Sequence, residues 1–378
     1  MKINKYHSYN VKELPKGCQY CVKGEKIVLF VTGKCPRKCY FCPVSDEKYD
    51  HDVIFANEKK VNEIEDIINE AKKMQAKGAG ITGGDPLIKL ERTCEYIKKL
   101  KKEFGKQFHV HLYTSLNLVT KKSLEQLYKA GLDEIRFHLD FDDKKFWKKI
   151  SLAKSYPWDI GTELPLLPDK ETETKKIIDF IQDKVSFLNL NELERADNQQ
   201  SKLDEMGLKV KEQYSYAIKN SLELGLKMIN YVKEKKYSLA VHLCTAKLKD
   251  KIQLTNRIKR EGKFSKRKFD IVDNEGLLTR GALYLKKLKP GFEYRKKLAT
   301  INKEEFIKQL IPFYDRIKKK FKLEKEDIYL DLEKPRVLIS KKLIKKKKSY
   351  FLSLGLIPAI VIEYPTADQL EIEIDFLH

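Results

Sequence analysis

Three closely spaced cysteines are the residues of this sequence best suited to chemistry. Cys35, Cys39 and Cys42 form a Cys-x3-Cys-x2-Cys pattern directly after a short apolar run. Thiolates at such spacing bind zinc or an iron–sulfur cluster. A structural zinc site and a ferredoxin cluster each use four protein ligands, whereas this motif supplies three. A four-iron cluster held by three cysteines keeps one iron free to bind a small molecule.

A glycine-rich turn follows the next predicted strand. It consists of Gly83, Gly84, Asp85 and Pro86. Alone, such a sequence is most often an ordinary turn. Because it comes one β/α unit after the cysteine motif, a ligand site is the better interpretation.

Together the two motifs resemble those of the radical S-adenosylmethionine (SAM) superfamily. Phe41 provides the aromatic residue before the last cysteine, and Gly83–Pro86 is similar to the superfamily's Gly-Gly-Glu-Pro motif, with Asp85 in place of glutamate. The resemblance implies a [4Fe–4S] cluster on the three cysteines, SAM on the open iron, and contact of the second motif with the SAM amino group. It further implies an electron donor such as ferredoxin or flavodoxin, and cleavage of SAM to methionine and a 5′-deoxyadenosyl radical.

Polar residues at the ends of later predicted strands are candidates for holding SAM or substrate. In chain order they are Thr114, Ser115 and Asn117, then Arg136, His138 and Asp140, then Glu163, and finally Asn189, Asn191, Glu192 and Glu194. The first three stand where similar enzymes carry a Thr-Asn-Gly segment near SAM. The second three alternate along one strand, so they share a face and are expected at the mouth of the barrel. Ordinary buried polar residues would show the same pattern.

Another cysteine pair lies before the first predicted strand. Cys18 and Cys21 form a Cys-x2-Cys motif, and Cys244 ends the last predicted strand. We predict that these three hold a second, auxiliary iron–sulfur cluster, which is similar to the arrangement in archaeal tRNA wyosine synthases. The alternative for Cys244 is a small buried apolar residue, as we expect for Cys94.

Short apolar runs alternate with segments of helical period from Lys26 onward, which predicts repeated β/α units around a parallel sheet. The predicted strands are Lys26–Thr32, Gly80–Thr82, His109–Thr114, Glu134–Leu139, Ile160–Leu164, Phe187–Leu190 and Leu239–Cys244. Gly78, Gly105 and Gly131 follow helical segments, where C-terminal caps are expected. The fold class predicted is α/β, a partial TIM-type (β/α)6–7 radical SAM barrel with a small C-terminal α+β domain.

Three regions are predicted along the chain. Residues 1–25 form an N-terminal segment that carries the Cys-x2-Cys motif, residues 26–262 form the barrel, and residues 263–378 form a basic α+β domain expected to bind RNA.

Positive charge is concentrated in one stretch. The formal net charge is +22, and residues 245–350 contain 33 Lys and Arg against 14 Asp and Glu. The Lys and Glu enrichment of thermophiles would place matching glutamates in the same stretch. We therefore expect an anionic partner, with RNA, specifically tRNA, ahead of a membrane surface.

The predicted function is a radical SAM enzyme that modifies a nucleotide in tRNA. The overall pattern is most like archaeal proteins related to pyruvate formate-lyase activating enzymes, so activation of a glycyl-radical enzyme or modification of a peptide is an alternative. Synthesis of a small cofactor and a non-enzymatic, metal-stabilised RNA-binding protein are two others. No apolar stretch of membrane-spanning length and no leader are evident, and the seven cysteines are odd in number. We expect a cytoplasmic protein that does not bind membranes.

Overall fold

The structure is a computed structural model that describes residues 3–378, and it divides the chain into two units, Met1–Arg257 and Ile258–His378. The division falls a few residues before the position 262/263 expected from the sequence. The first unit also includes the N-terminal residues that were expected to form a separate segment.

Seven parallel strands form the centre of a ten-stranded sheet in the first unit. In spatial order they are β10 (Ala240–Cys244), β9 (Phe187–Glu192), β8 (Asp159–Leu166), β7 (Glu134–His138), β6 (His109–Ser115), β5 (Gly78–Thr82) and β2 (Lys26–Phe30). Each lies where the hydrophobic pattern predicted a strand. The sheet is an open, partial TIM-type barrel, as predicted, and its strand residues are largely buried because helices cover the outer face.

Helices follow most of the parallel strands. They are α2 (Ile64–Lys73), α3 (Leu90–Phe104), α4 (Lys121–Ala130), α5 (Glu171–Ile181), α6 (Ser221–Glu234) and α7 (Ala246–Leu248). Short 3-10 helices span Pro86–Lys89 and Trp147–Ser155, and a π-helical segment spans Lys249–Leu254. α8 (Thr255–Ser265) comes next in the chain.

Two of the three expected glycine caps are present. Gly105 ends α3 with a φ of 87°, and Gly131 ends α4 with a φ of 101°. The expectation for Gly78 is wrong, since this residue begins β5. α2 ends earlier, with Gln75 just beyond it in a left-handed conformation, so the apolar period continues past the real end of the helix.

Antiparallel strands cover both edges of the parallel sheet. β1 (Tyr9–Val11) pairs with β10, while β3 (Phe55–Ala56) and β4 (Lys59–Lys60) form a hairpin beside β2. Between β1 and β2 lies α1 (Lys16–Cys21). The N-terminal residues are therefore part of the barrel unit and not a separate segment. The sequence did not reveal these elements because a three-residue strand and a six-residue helix are too short to show a period.

The second unit contains an antiparallel sheet. Its strands are β11 (Ile271–Val272), β12 (Leu278–Leu285), β13 (Ile328–Asp331), β14 (Arg336–Ile339), β15 (Leu356–Glu363) and β16 (Glu371–Phe376). Its helices are α9 (Tyr294–Thr300), α10 (Lys303–Phe321), α11 (Lys341–Lys346) and α12 (Lys348–Ser353), with a 3-10 helix at Lys286–Leu288. Ile317, Ile344 and Phe351 on three of the helices share one core with strand residues. This is the small α+β domain predicted from the sequence.

A buried ionic cluster lies within the second unit. Arg336 is fully buried and donates to Asp331 and to Glu363, both at 2.9 Å. Arg280 donates to the same Glu363 at 3.1 Å. Part of the positive charge of this unit is therefore paired with buried carboxylates of the same unit. Among residues 3–378, none of the helices has the length and apolar character that a membrane span requires.

Candidate active site

The cysteine motif lies in the long loop between β2 and β3. Near the start of this loop, Gly33 donates its N–H to the carbonyl of His51 at 2.8 Å and so closes the loop on itself. Cys42 N–H donates to the carbonyl of Cys39 at 3.1 Å. The loop begins at the C-terminal end of a parallel strand, which is where barrels of this type place their active sites.

The Gly-Gly turn after β5 lies directly against this loop. Gly84 N–H donates to the carbonyl of Thr32 at 2.7 Å, and Asp85 N–H donates to the carbonyl of Lys34 at 2.9 Å. A Cβ at Gly83 would lie 2.5 Å from the Thr32 oxygen, and one at Gly84 would lie 2.4 Å from the Lys34 oxygen. Only glycine permits this approach, so the two motifs form one surface.

A cavity of about 690 Å³ opens between these motifs and the later strand ends. Its walls include Cys35, Phe41, Cys39, Cys42, Gly83, Gly84, Thr114, Ser115, His138, Glu163, Asn191, Glu192 and Glu194. Sites for drug-sized ligands measure roughly 300–1,000 Å³. The cavity is therefore large enough for a ligand of the size of SAM.

The three cysteines of the motif are free thiols in the cavity wall. Burial raises the pKa of Cys35 to about 11, and it raises the pKa of Cys39 and of Cys42 above the usual value. Neighbouring cysteines add to the rise at Cys35, so the thiols lie within electrostatic range of one another. Metal binding must displace these protons.

No three His, Cys, Asp or Glu side chains between residues 3 and 378 are arranged around a single metal ion. A four-iron cluster separates its thiolate ligands more widely than one ion does. Three thiols on one loop, facing a cavity beside a glycine cradle, are a fit for a cluster.

Phe41 and His138 form one wall of the cavity. Their rings stack with centroids 5.8 Å apart and planes inclined by 23°. Burial lowers the pKa of His138 to about 3, so the ring is neutral at pH 7. Its Nε2 atom is buried and makes no hydrogen bond within residues 3–378. This nitrogen is available to a ligand.

Asp85 lies behind the cavity wall and not in it. Its carboxylate is fully buried and accepts hydrogen bonds from Thr114 Oγ1 at 2.8 Å, from Ser115 Oγ at 2.6 Å and from Leu87 N–H at 3.0 Å. The resemblance implied a contact between this acid and the SAM amino group. In this structure Asp85 instead orients Thr114 and Ser115, which do line the cavity.

Pro86, Asn117 and Asn189 are also absent from the cavity wall. The Asn117 carbonyl accepts from Lys149 Nζ at 2.9 Å. The Asn189 side chain donates to Glu163 at 2.9 Å and to Cys18 Sγ at 3.2 Å, within the barrel. The structure thus separates these three residues from the cavity-lining candidates.

Arg136 was expected at the barrel mouth with His138 and Asp140, but it lies deeper. It is 2% exposed and pairs with Glu134 at 2.5 Å and with Glu163 at 3.0 Å. The period of two placed these side chains on one face, but it does not fix their depth in the barrel.

Two of the cationic residues of the wall make contacts that the sequence did not indicate. Arg37, between the first two cysteines, donates to Asp140 at 2.7 Å and so ties the cysteine loop to the end of β7. Lys249 pairs with Glu194. It lies in the π-helical segment, and such segments are frequent at functional sites. No sequence motif marked either residue.

Cys18, Cys21 and Cys244 lie outside the cavity wall. Burial raises the pKa of Cys21 to about 12 and the pKa of Cys244 well above the usual value, and the charges of Cys18 and Cys21 contribute to the rise at Cys244. The three thiols therefore lie within electrostatic range of one another. Cys18 Sγ also accepts from Arg136 at 3.4 Å. The auxiliary cluster stays a prediction.

Comparison with known proteins shows that the chain belongs to the radical SAM superfamily. Residues 29–160 match the family model of the "Radical SAM superfamily". The superfamily's [4Fe–4S] cluster and SAM are thus the cofactors of this enzyme, as the sequence predicted. Over 98% of its length the chain is 36% identical to the Methanocaldococcus jannaschii protein named "Putative glycyl-radical enzyme activating enzyme MJ0021", 95% of which is covered. This relation to activating enzymes agrees with the resemblance seen in the sequence.

More distant similarities are partial. Biotin synthase of Rickettsia felis is 29% identical over 33% of this chain and 39% of its own. The crystal structure of SuiB from Streptococcus suis has a TM-score of 0.42 and 13% identity, over 58% of this chain and 49% of that one.

Proposed function

We propose that this enzyme abstracts a hydrogen atom from a glycyl residue of a partner polypeptide, as an activating enzyme for a glycyl-radical protein. One observation carries the proposal. The 36% identity to MJ0021, whose name describes such an activity, extends over 98% of the chain and so includes both units. The partial relatives, by contrast, share only about a third of it.

We assign the cluster to Cys35, Cys39 and Cys42. When bound, the cluster supplies the electron that cleaves SAM to methionine and the 5′-deoxyadenosyl radical. Gly83 and Gly84 allow their turn to pack directly against the cysteine loop, because neither position has room for a side chain. The remaining residues of the cavity wall bind and orient SAM and substrate, and they exclude water that would quench a radical.

A polar region of the cavity is suited to the substrate. Glu163, Asn191 and Glu194 line it together with Lys249. Asn191 donates to Glu163 at 2.7 Å, so the carboxylate has a fixed orientation. A peptide main chain offers both N–H donors and carbonyl acceptors, and this region offers groups for both.

Transfer RNA is the second candidate substrate, and one observation favours it. No acidic residue occurs in residues 335–362, although α11 and the start of α12 carry Lys341, Lys342, Lys345, Lys346 and Lys348. Such a surface suits phosphate contacts. None of the relatives described above has an RNA substrate in its name, so we rank the peptide first.

The test uses the reconstituted holoenzyme, dithionite and SAM under anaerobic conditions, with 5′-deoxyadenosine measured by mass spectrometry. An extract of the source organism grown on [2,2-²H₂]glycine is added. We expect faster formation of 5′-deoxyadenosine, deuterium in the product, and loss of both effects after protease treatment. A Cys35→Ala/Cys39→Ala/Cys42→Ala variant is the control and should form no product.

The other functions give different results. Stimulation that is lost after RNase treatment but resists protease would replace the peptide with RNA. Stimulation by the ultrafiltrate of the extract would indicate a small molecule. Absence of SAM cleavage by the reduced wild-type enzyme would refute radical SAM chemistry itself.

A further inference from the structure

An unusually long segment follows β9. Residues 193–220 connect β9 to α6, whereas most strand-to-helix connections in α/β units have roughly 2–6 residues. The segment has some structure of its own, since isolated bridges join Glu194 to Ala217 and Val210 to Ile218. Loops of this length in a compact domain are usually functional.

This β9–α6 segment binds the cysteine loop through its main chain. Lys202 N–H donates to the carbonyl of Tyr40 at 2.6 Å, and Gln199 N–H donates to Asp46 Oδ1 at 3.0 Å. The contacts lie on either side of the third cysteine of the motif. The segment therefore holds the part of the loop that carries Cys42.

Asn198 makes the most specific contact. Its Nδ2 atom donates to the carbonyl of Cys42 at 3.0 Å and to the carbonyl of Val44 at 2.8 Å. Its Oδ1 atom accepts from Ser201 N–H at 2.8 Å. Both hydrogens and the oxygen of the carboxamide are thus used, so the side chain has only one satisfactory orientation.

The position of Val44 bears directly on the thiol. The N–H of Val44 lies within hydrogen-bonding range of the Cys42 sulfur. Hydrogen bonds to the sulfur ligands of an iron–sulfur cluster set its reduction potential. Whatever fixes Val44 therefore also fixes one determinant of the cluster's electronic state.

We propose that Asn198 is a positioning residue for the cluster: by binding the carbonyls of Cys42 and Val44, it sets the orientation of the Cys42 sulfur and of its hydrogen-bond donor. The proposal requires the cluster on the three cysteines and does not depend on the substrate. An aspartate would be of the same size but would place a carboxylate against two carbonyl oxygens, so asparagine is the residue that this contact needs.

The test compares purified, reconstituted proteins without any substrate. Asn198→Ala and Asn198→Asp should change the electron paramagnetic resonance (EPR) spectrum of the reduced cluster and displace its reduction potential. Iron release to a chelator should become about tenfold faster, since two hydrogen bonds to the loop are lost. Gln199→Ala is the matched control, because its exposed side chain is removed while its N–H contact with Asp46 is kept.

An unchanged EPR spectrum and potential in the Asn198 variants would overturn the proposal, even with faster iron release, since a general loosening of the fold would account for that. An equal change in Gln199→Ala would overturn it too. If Asn198→Ala does not fold, Asn198→Ser takes its place. Serine retains one donor, so we expect the reduction potential to move in the same direction by a smaller amount. Failure of the glycyl assay leaves these measurements unaffected.

Discussion

Asp85 occupies the acidic position of the motif that resembles Gly-Gly-Glu-Pro, but its side chain does not line the cavity. The superfamily motif that it resembles has glutamate here. The shorter side chain leaves the carboxylate fully buried against Thr114 and Ser115. Burial also raises the pKa of Asp85 above its usual value, against the hydrogen bonds that lower it. We therefore regard this acid as the support for two cavity-lining hydroxyls.

Replacing Asp85 should destabilise the first unit in two ways. Asp85→Glu adds a methylene group at a fully buried position, which should lower the free energy of unfolding by about 1–3 kcal/mol. Asp85→Asn keeps the size but loses one acceptor oxygen, with a cost of about 1–3 kcal/mol. Urea unfolding followed by tryptophan fluorescence measures both.

Asp183→Asn serves as the surface control for these variants, with an expected change within about 0.5 kcal/mol. Its carboxylate is 60% exposed and pairs with the adjacent Lys184. Wild-type stability in Asp85→Asn would mean that the carboxylate is not the support described above.

The residues that the sequence could predict are those that local spacing marks. Cys35, Cys39 and Cys42, and the adjacent Gly83 and Gly84, were found because their chemistry needs neighbours in the chain, and all of them line the cavity. The roles of Asp85 and Asn198 could not be predicted. Each is defined by partners far away in the sequence, such as the carbonyl of Cys42, 156 positions from Asn198.

At the scale of elements, the long parallel strands were predictable and the short elements were not. A strand such as β6 alternates apolar and polar residues, with Val110 and Leu112 fully buried, whereas β1 and α1 are too short for any period. The helix α1 nevertheless matters, because it carries Cys18 and Cys21 into the first unit.

The iron content tests whether α1 contributes to a second cluster. If Cys18, Cys21 and Cys244 hold one, the Cys35→Ala/Cys39→Ala/Cys42→Ala variant should retain about four irons out of about eight in the wild type. Quantification of iron and sulfide on anaerobically purified protein measures this. A wild type with about four irons and a variant with none would show that the second cluster is absent and that the three cysteines of the motif hold the first.

The first unit as a whole carries an unusual number of buried neutral imidazoles. Burial lowers the pKa of His109, of His138 and of His242 to about 3, and it lowers the pKa of His111 well below its usual value. Their surroundings explain this. The positive charges of Lys26 and Arg136 lower the pKa of His109 and of His111 further, and the negative charge of Glu134 opposes them at His109.

These imidazoles should make the unit sensitive to acid. Below the ordinary histidine pKa of about 6.5, the unfolded chain takes up protons that the folded chain does not accept until about pH 3, so stability falls as pH falls through this window. Each histidine contributes about 1.4 kcal/mol per pH unit. Urea unfolding of the cluster-free protein at pH 7, 6 and 5 measures the slope.

Fluorescence reports this unit alone, because Trp147 and Trp158, the two tryptophans of the chain, both lie in it. His109→Gln should reduce the slope by about 1.4 kcal/mol per pH unit, since the ring nitrogens of His109 make no hydrogen bond among residues 3–378 and their removal breaks none. His51→Gln, at an exposed position, is the control. An identical slope in His109→Gln and wild type would show that His109 titrates normally in the folded protein.

The antiparallel pairing of β1 with β10 has a practical consequence for anyone who handles this enzyme. Tyr9 lies opposite Leu243, near the C-terminal end of β10, and the carbonyl of His7 accepts from Thr245 at 2.6 Å. The residues just before β1 therefore lie at the rim formed by the C-terminal ends of the parallel strands, which is the rim that holds the cavity. For kinetic work, a tag fused ahead of β1 should therefore be removable.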